Sequence, residues 1–105
     1  MISQKQLNLL GLMQRAGKLT TGEELVVKAV QAKKASAVVL AEDAGDAVKK
    51  KITDKCRFYH VPIVQAGLRE DLGAAVGKEM RVTLAIMDEG FAKAFLKLSD
   101  GQELS

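Results

Sequence analysis

Leu7, Leu10 and Met13 recur at steps of three, with Leu9 and Leu12 beside them. This spacing predicts a first helix from Gln4 to Ala16, closed by Gly17 at a C-cap position. The stretch "KLTTG" that follows reads as a short link or a small strand. Gly22 then opens "EELVVKAV", where Leu25, Val26, Ala29 and Val30 form an apolar stripe that predicts a second helix over Glu23 to Ala32. "AVVLA", residues 37–41, is a short apolar run rich in β-branched side chains and predicts a buried central strand. Val48, Ile52 and Cys56 fall four apart on a third helix whose N-cap is Asp43 or Asp46, with Lys49, Lys50, Lys51 and Lys55 on its other face.

"VPIVQ" reads as a strand with Pro62 near its start, where a missing amide donor costs least. A fourth helix runs from Arg69 to Val76 with Leu72 and Ala75 inward. "GKEM" separates it from a strand over residues 81–87, and a fifth helix uses Phe91, Phe95 and Leu98. Strands and helices alternate through short connections, the pattern of a sheet covered by helices on both faces. Neither an internal repeat nor a low-complexity stretch is present.

Length and composition agree with this picture. A chain of 105 residues, 48% hydrophobic and 28% charged, builds one core, so a single domain is expected. Its apolar runs are too short to cross a bilayer, and "MISQKQLNLL" is not a signal segment, so a cytoplasmic location without membrane attachment is expected. Cys56 is the only cysteine and His60 the only histidine, which excludes an internal disulfide and a zinc site built on several cysteines. The net charge of +3 is mild, but it is unevenly spread: residues 1–57 hold 11 Lys and Arg against 6 Asp and Glu, and residues 58–105 hold 5 against 7. With no Trp, one Tyr and three Phe, the chain lacks the rows of stacking aromatics that single-strand readers use, so a nucleic-acid partner would be read by its folded shape.

The candidate chemistry is sparse. Cys56 and His60 stand four apart, but with no further Cys or His the simpler assignment holds: a core thiol and a histidine at a helix end. "AED", Ala41 to Asp43, puts two carboxylates at the end of a central strand, where α/β folds often keep chemistry, yet a helix cap is the commoner use and no base or nucleophile completes a set. The Lys49 to Lys51 run points around more than half of its helix and reads as a solvated face. "GLREDLGAAVGKE" lacks the Gly-Lys-Ser or Gly-Lys-Thr ending of a phosphate loop, which excludes nucleotide binding of that kind. No enzyme activity and no cofactor or metal are expected.

One segment has two readings. Glu23 and Glu24 in a first turn complement the positive end of a helix, and Glu24 with Lys28 makes an i, i+4 pair in the favourable order. A glycine-initiated helix N-terminus equally offers free amide donors to a phosphate or a base edge. Composition leaves both open.

The ordered combination "GEELVVKAVQAKKASAVVLAEDA", "VPIV", "REDLGAAVGKE" and "VTLAI" resembles the ribosomal protein L-seven-Ae family, and a branch of small bacterial members within it, over nearly the whole chain. The resemblance implies a three-layer α/β/α sandwich with a small mixed sheet and binding of kink-turn RNA, ribosomal RNA or another structured element, with the ribosome as a possible context and a monomeric state. It further implies that the start of the second helix enters the widened groove at the kink. By correspondence, Gly22 matches the glycine that permits close approach, Lys28 the lysine of that helix, and Arg69 a lysine on the RNA backbone, with Lys18 and Thr21 flanking this head. Lys78, Met80, Arg81 and Val82 match the loop that covers a flipped-out nucleotide, with Met80 and Val82 as the shield and Arg81 as a phosphate contact. Glu24 and Leu25 depart from the Asn and Glu usual in archaeal and eukaryotic members. A carboxylate cannot donate to guanine O6 or N7, so Glu23 or Glu24 would instead accept from base amino or imino groups. A protein-interaction module on the same fold is the alternative.

Overall fold

The computed structural model describes residues 1–104. In chain order these residues form α1 (Gln4–Arg15), β1 (Leu19–Thr21), α2 (Glu23–Gln31), β2 (Ala37–Leu40), α3 (Asp46–Phe58), β3 (Ile63–Gln65), α4 (Arg69–Ala75), β4 (Thr83–Ile86) and α5 (Glu89–Lys97). Every element expected from the sequence is present, most of them a residue or two shorter at the ends, where helices fray and ladders lose partners. Among the described residues, no helix is long and apolar enough to cross a membrane.

The sheet order is β1-β4-β2-β3, with β2 parallel to β3 and β4 antiparallel to both of its neighbours. Alternation along β2 explains the layers. Ala37 and Val39 point into a core shared with Leu10 and Met13 of α1, Leu72 of α4 and Phe95 of α5, whereas Val38 and Leu40 point into a second core with Val26 and Val30 of α2 and Ile52 and Cys56 of α3. The result is a three-layer α/β/α sandwich around a small mixed sheet. Because both faces are covered, β2 and β4 are buried at every position.

Local signals account for the helix ends. Ser3 accepts from the Gln6 amide at 3.1 Å while the Gln6 side chain accepts from the Ser3 amide at 2.9 Å, a reciprocal box that starts α1. At its other end the Gly17 amide returns to the Gln14 carbonyl and the Lys18 amide to that of Met13, which turns the chain into β1.

Three expectations are corrected. Leu25 is not part of the buried stripe of α2: it is 56% exposed, and Val27 occupies the inward place. Leu98 lies just past the last turn of α5 and is exposed, so Ala92 and Phe95 carry that helix's packing. Neither Asp43 nor Asp46 caps α3; Gly45 is the N-cap and Asp46 already lies in the first turn. Asp43 is used elsewhere, as described next.

Candidate nucleic-acid interface

The C-terminal ends of β1, β2 and β3 and the start of β4 meet at one edge of the sheet, as their registers require: Thr21 pairs with Leu84, Leu40 with Thr83 and, across the parallel pair, Leu40 with Gln65. The N-termini of α2, α3 and α4 and the loop over residues 77–82 gather at the same edge because each follows or precedes one of these strand ends.

Gly22 is the N-cap of α2 at φ 96°, ψ 146°, a backbone state that side chains strongly disfavour. Its amide donates to the Thr83 carbonyl at 3.3 Å, and its carbonyl accepts from Val26 at 3.0 Å. No side chain caps the helix, and a Cβ built at Gly22 would meet no atom within 4 Å. The first amides of α2 thus have no side-chain cap, and beside them Gly22 leaves open the space that a side chain would fill.

The two carboxylates of that first turn differ. Glu23 lies 3.0 Å from Lys51 of α3, whereas Glu24 is exposed. The Glu24–Lys28 pair expected from the sequence does not form: among the described residues neither group is in an ion pair, although both occupy the exposed face of α2.

α4 is anchored by Asp43. Its carboxylate accepts from the Arg69 amide at 2.9 Å and sits 3.4 Å from the Arg69 guanidinium, which also donates to the Asp43 carbonyl. Asp43 thus does cap a helix, but the one that follows β3 rather than the one next in sequence. Asp71 completes the start of α4 by accepting from the Leu68 amide at 2.9 Å. The Arg81 amide donates to the Arg69 carbonyl at 3.0 Å, tying the loop to the same hub.

The loop lies tightly on α4. A Cβ at Gly73 would fall 1.6 Å from the Glu79 carbonyl oxygen, so only glycine allows this contact. Met80 projects outward, 60% exposed, beside Glu70, Glu79 and Arg81, which line an open depression with it. Arg81 donates to the Met80 carbonyl at 2.8 Å and approaches the Thr21 hydroxyl at 3.4 Å. Val82, expected to share the shielding role, packs instead against the core beneath α2 and α3, because it immediately precedes β4. Among the loop's apolar side chains, Met80 is the one that projects outward.

Thr21, Gly22, Glu23, Glu24, Arg69, Met80, Arg81 and Val82 are thus brought to one edge, with Lys28 on the outer face of α2 and exposed Lys78 in the loop. Lys18 stands apart. Its carbonyl accepts from Met87 at 2.8 Å, at the opposite end of the β1–β4 ladder. Lys51 was expected to be solvated with its neighbours; the phase of Ile52 and Cys56 hints at its direction, but only the packing of α3 on α2 reveals the partner. Cys56 is fully buried, which pushes its thiol up to about 12, and His60 is exposed beyond the helix end. These two do not form a site.

Comparison with known proteins fits this architecture. Residues 4–96 match the Ribosomal protein L7Ae/L30e/S12e/Gadd45 family. The chain belongs to that family. Among its L7Ae-family relatives, RNA-binding protein YlxQ of Bacillus subtilis (strain 168) is 46% identical over 92 residues, spanning 88% of this chain and 92% of the relative. A solved structure of a protein with unknown function from Bacillus halodurans C superposes with a TM-score of 0.90 at 47% identity, over 93% of this chain and 99% of that one. The Giardia lamblia 15.5kD RNA binding protein shares the L7Ae-type fold, with a TM-score of 0.78 at 22% identity over 95% and 92% of the two chains.

Proposed function

We propose that this protein binds structured RNA containing a kink-turn and holds it in the bent state, without covalent chemistry. Family membership and the RNA-binding relative support the RNA partner. The observation that carries the finer reading is the head of α2: a glycine N-cap with open space where a side chain would stand, first amides without a side-chain cap, an exposed carboxylate at Glu24 and a Lys28 that is in no ion pair among the described residues, set beside the Arg69–Asp43 hub and the Met80 loop. The edge is mixed in charge, since Glu70 and Glu79 lie next to Arg81. A uniform basic field is therefore not the source of affinity; a few placed cations and a shape are. An RNA that samples the kink is captured because only the bent form meets all of these groups together.

A titration of labelled kink-turn RNA, run at two salt concentrations beside the same RNA with its sheared G·A pairs changed to Watson–Crick pairs, tests this. The intact kink is expected to bind about 100-fold more tightly. With Lys28, Arg69, Lys78 and Arg81 as phosphate partners, the logarithm of affinity should fall by about three per logarithm of salt. Equal, weak binding to both RNAs would overturn the proposal. It would favour a protein partner instead, for which Leu25, Leu68 and Met80, all exposed, provide apolar contact area.

A further inference from the structure

The lysine run of α3 is not uniform. Lys50 pairs with Asp54 on its own helix at 2.8 Å, and Lys49 is exposed. Lys51 instead crosses to another element: its ammonium lies 3.0 Å from the Glu23 carboxylate, with 49% and 37% of the two side chains exposed. This contact joins the second turn of α3 to the first turn of α2, and it makes two adjacent carboxylates unequal. Glu23 is drawn toward α3 with its charge offset, while Glu24 is exposed and, among the described residues, has no cationic partner.

The difference matters for a polyanion approaching the head of α2. A carboxylate beside a phosphate is repelled, whereas a carboxylate facing a base edge accepts from amino groups. We propose that Lys51 is a positioning residue of the RNA site: it holds Glu23 on α3 and cancels its charge, leaving Glu24 as the one carboxylate presented to base amino groups. The inference rests on the kink-turn reading above. It assigns Lys51 a role through Glu23, not a phosphate of its own.

Binding of the intact kink-turn RNA and its Watson–Crick control to five forms of the full chain separates the possibilities: wild type, Lys51→Ala, Lys50→Ala, Glu24→Ala and the double variant Lys51→Ala/Glu23→Gln. Lys51→Ala should weaken binding to the intact kink about fivefold, through the exposed charge of Glu23, and Lys50→Ala by less than about twofold. The double variant should return to within about twofold of wild type, because removing the carboxylate removes the need for its partner. Salt dependence should return to that of wild type in the double variant, whereas in Lys51→Ala alone the uncovered carboxylate, screened as salt rises, makes it shallower. Glu24→Ala should lose about tenfold on the intact kink and little on the control. A double variant as weak as Lys51→Ala, with a shallower salt dependence, would make Lys51 a direct phosphate ligand and overturn the proposal. So would an unaffected Lys51→Ala or Glu24→Ala. A wild-type protein that fails to distinguish the two RNAs overturns the functional reading itself, and this inference with it.

Discussion

At Gly73 a single hydrogen atom decides the position of a loop. The Glu79 carbonyl oxygen occupies the space where any other residue would carry Cβ, 1.6 Å from the ideal position, and the obstacle is backbone rather than a flexible side chain. Gly73→Ala should therefore push residues 77–82 off α4 and cost about 2–3 kcal/mol in urea unfolding, a close-packing penalty set against a small helix-propensity gain. An alanine variant as stable as wild type, with Met80 in place, would show that the loop is not held by this contact. The glycine's need for close approach was not legible in the sequence, where Gly73 reads only as a helix position of poor propensity. Gly22 was legible, because a glycine directly before a helix start has few other uses. At Glu23 and Glu24 the sequence gives two equal carboxylates, and only a partner brought from 28 positions away distinguishes them.

Between elements, the Asp43–Arg69 contact links the end of β2 to the start of α4 and carries the loop through the Arg81 amide. On the proposed reading Arg69 has two uses, an intramolecular tie and a cation for RNA, whereas Lys28 is in no ion pair among the described residues. Lys28→Ala and Arg69→Ala should each reduce affinity for kink-turn RNA about five- to tenfold, against less than about twofold for Lys50→Ala, whose partner Asp54 is on its own helix. Arg69→Ala should also loosen the loop, seen as faster amide exchange at Arg81. Equal losses in all three variants would indicate undirected attraction between a basic protein and a polyanion. The existence and phase of these helices followed from apolar spacing at Leu10 and Met13, at Val26 and Val30, and at Ile52 and Cys56. The cap of α4 did not, since a capping residue 26 positions upstream lies beyond any local pattern.

Across the whole molecule, two cores share one sheet, and Cys56 lies at full burial in the one beneath α2 and α3. Burial raises its thiol from an ordinary value near 9.0 to about 12. The folded state thus keeps a proton that the unfolded chain releases, so this stabilisation is complete below pH 9 and is lost as pH rises toward 12, at about 1.4 kcal/mol per pH unit. Urea unfolding of wild type beside Cys56→Ala from about pH 8.5 to 11 should show the wild-type advantage shrinking across that window. A constant difference would mean that the thiol ionises in the folded protein as easily as in the unfolded one.

The sequence by itself determined the order and type of the elements, the inward phase of most of them, the coverage of the sheet on both faces and the family resemblance, because periodicity and capping are local properties of a chain. The tertiary structure decided the rest: that Glu23 belongs to Lys51, that Asp43 caps α4, that Leu25 and Met80 face outward while Val82 packs inward, and that Lys18 lies at the opposite end of the ladder from Thr21. Each of these depends on which distant segments the sheet brings to one edge, and a pairing between segments is set by packing rather than by any spacing along the chain.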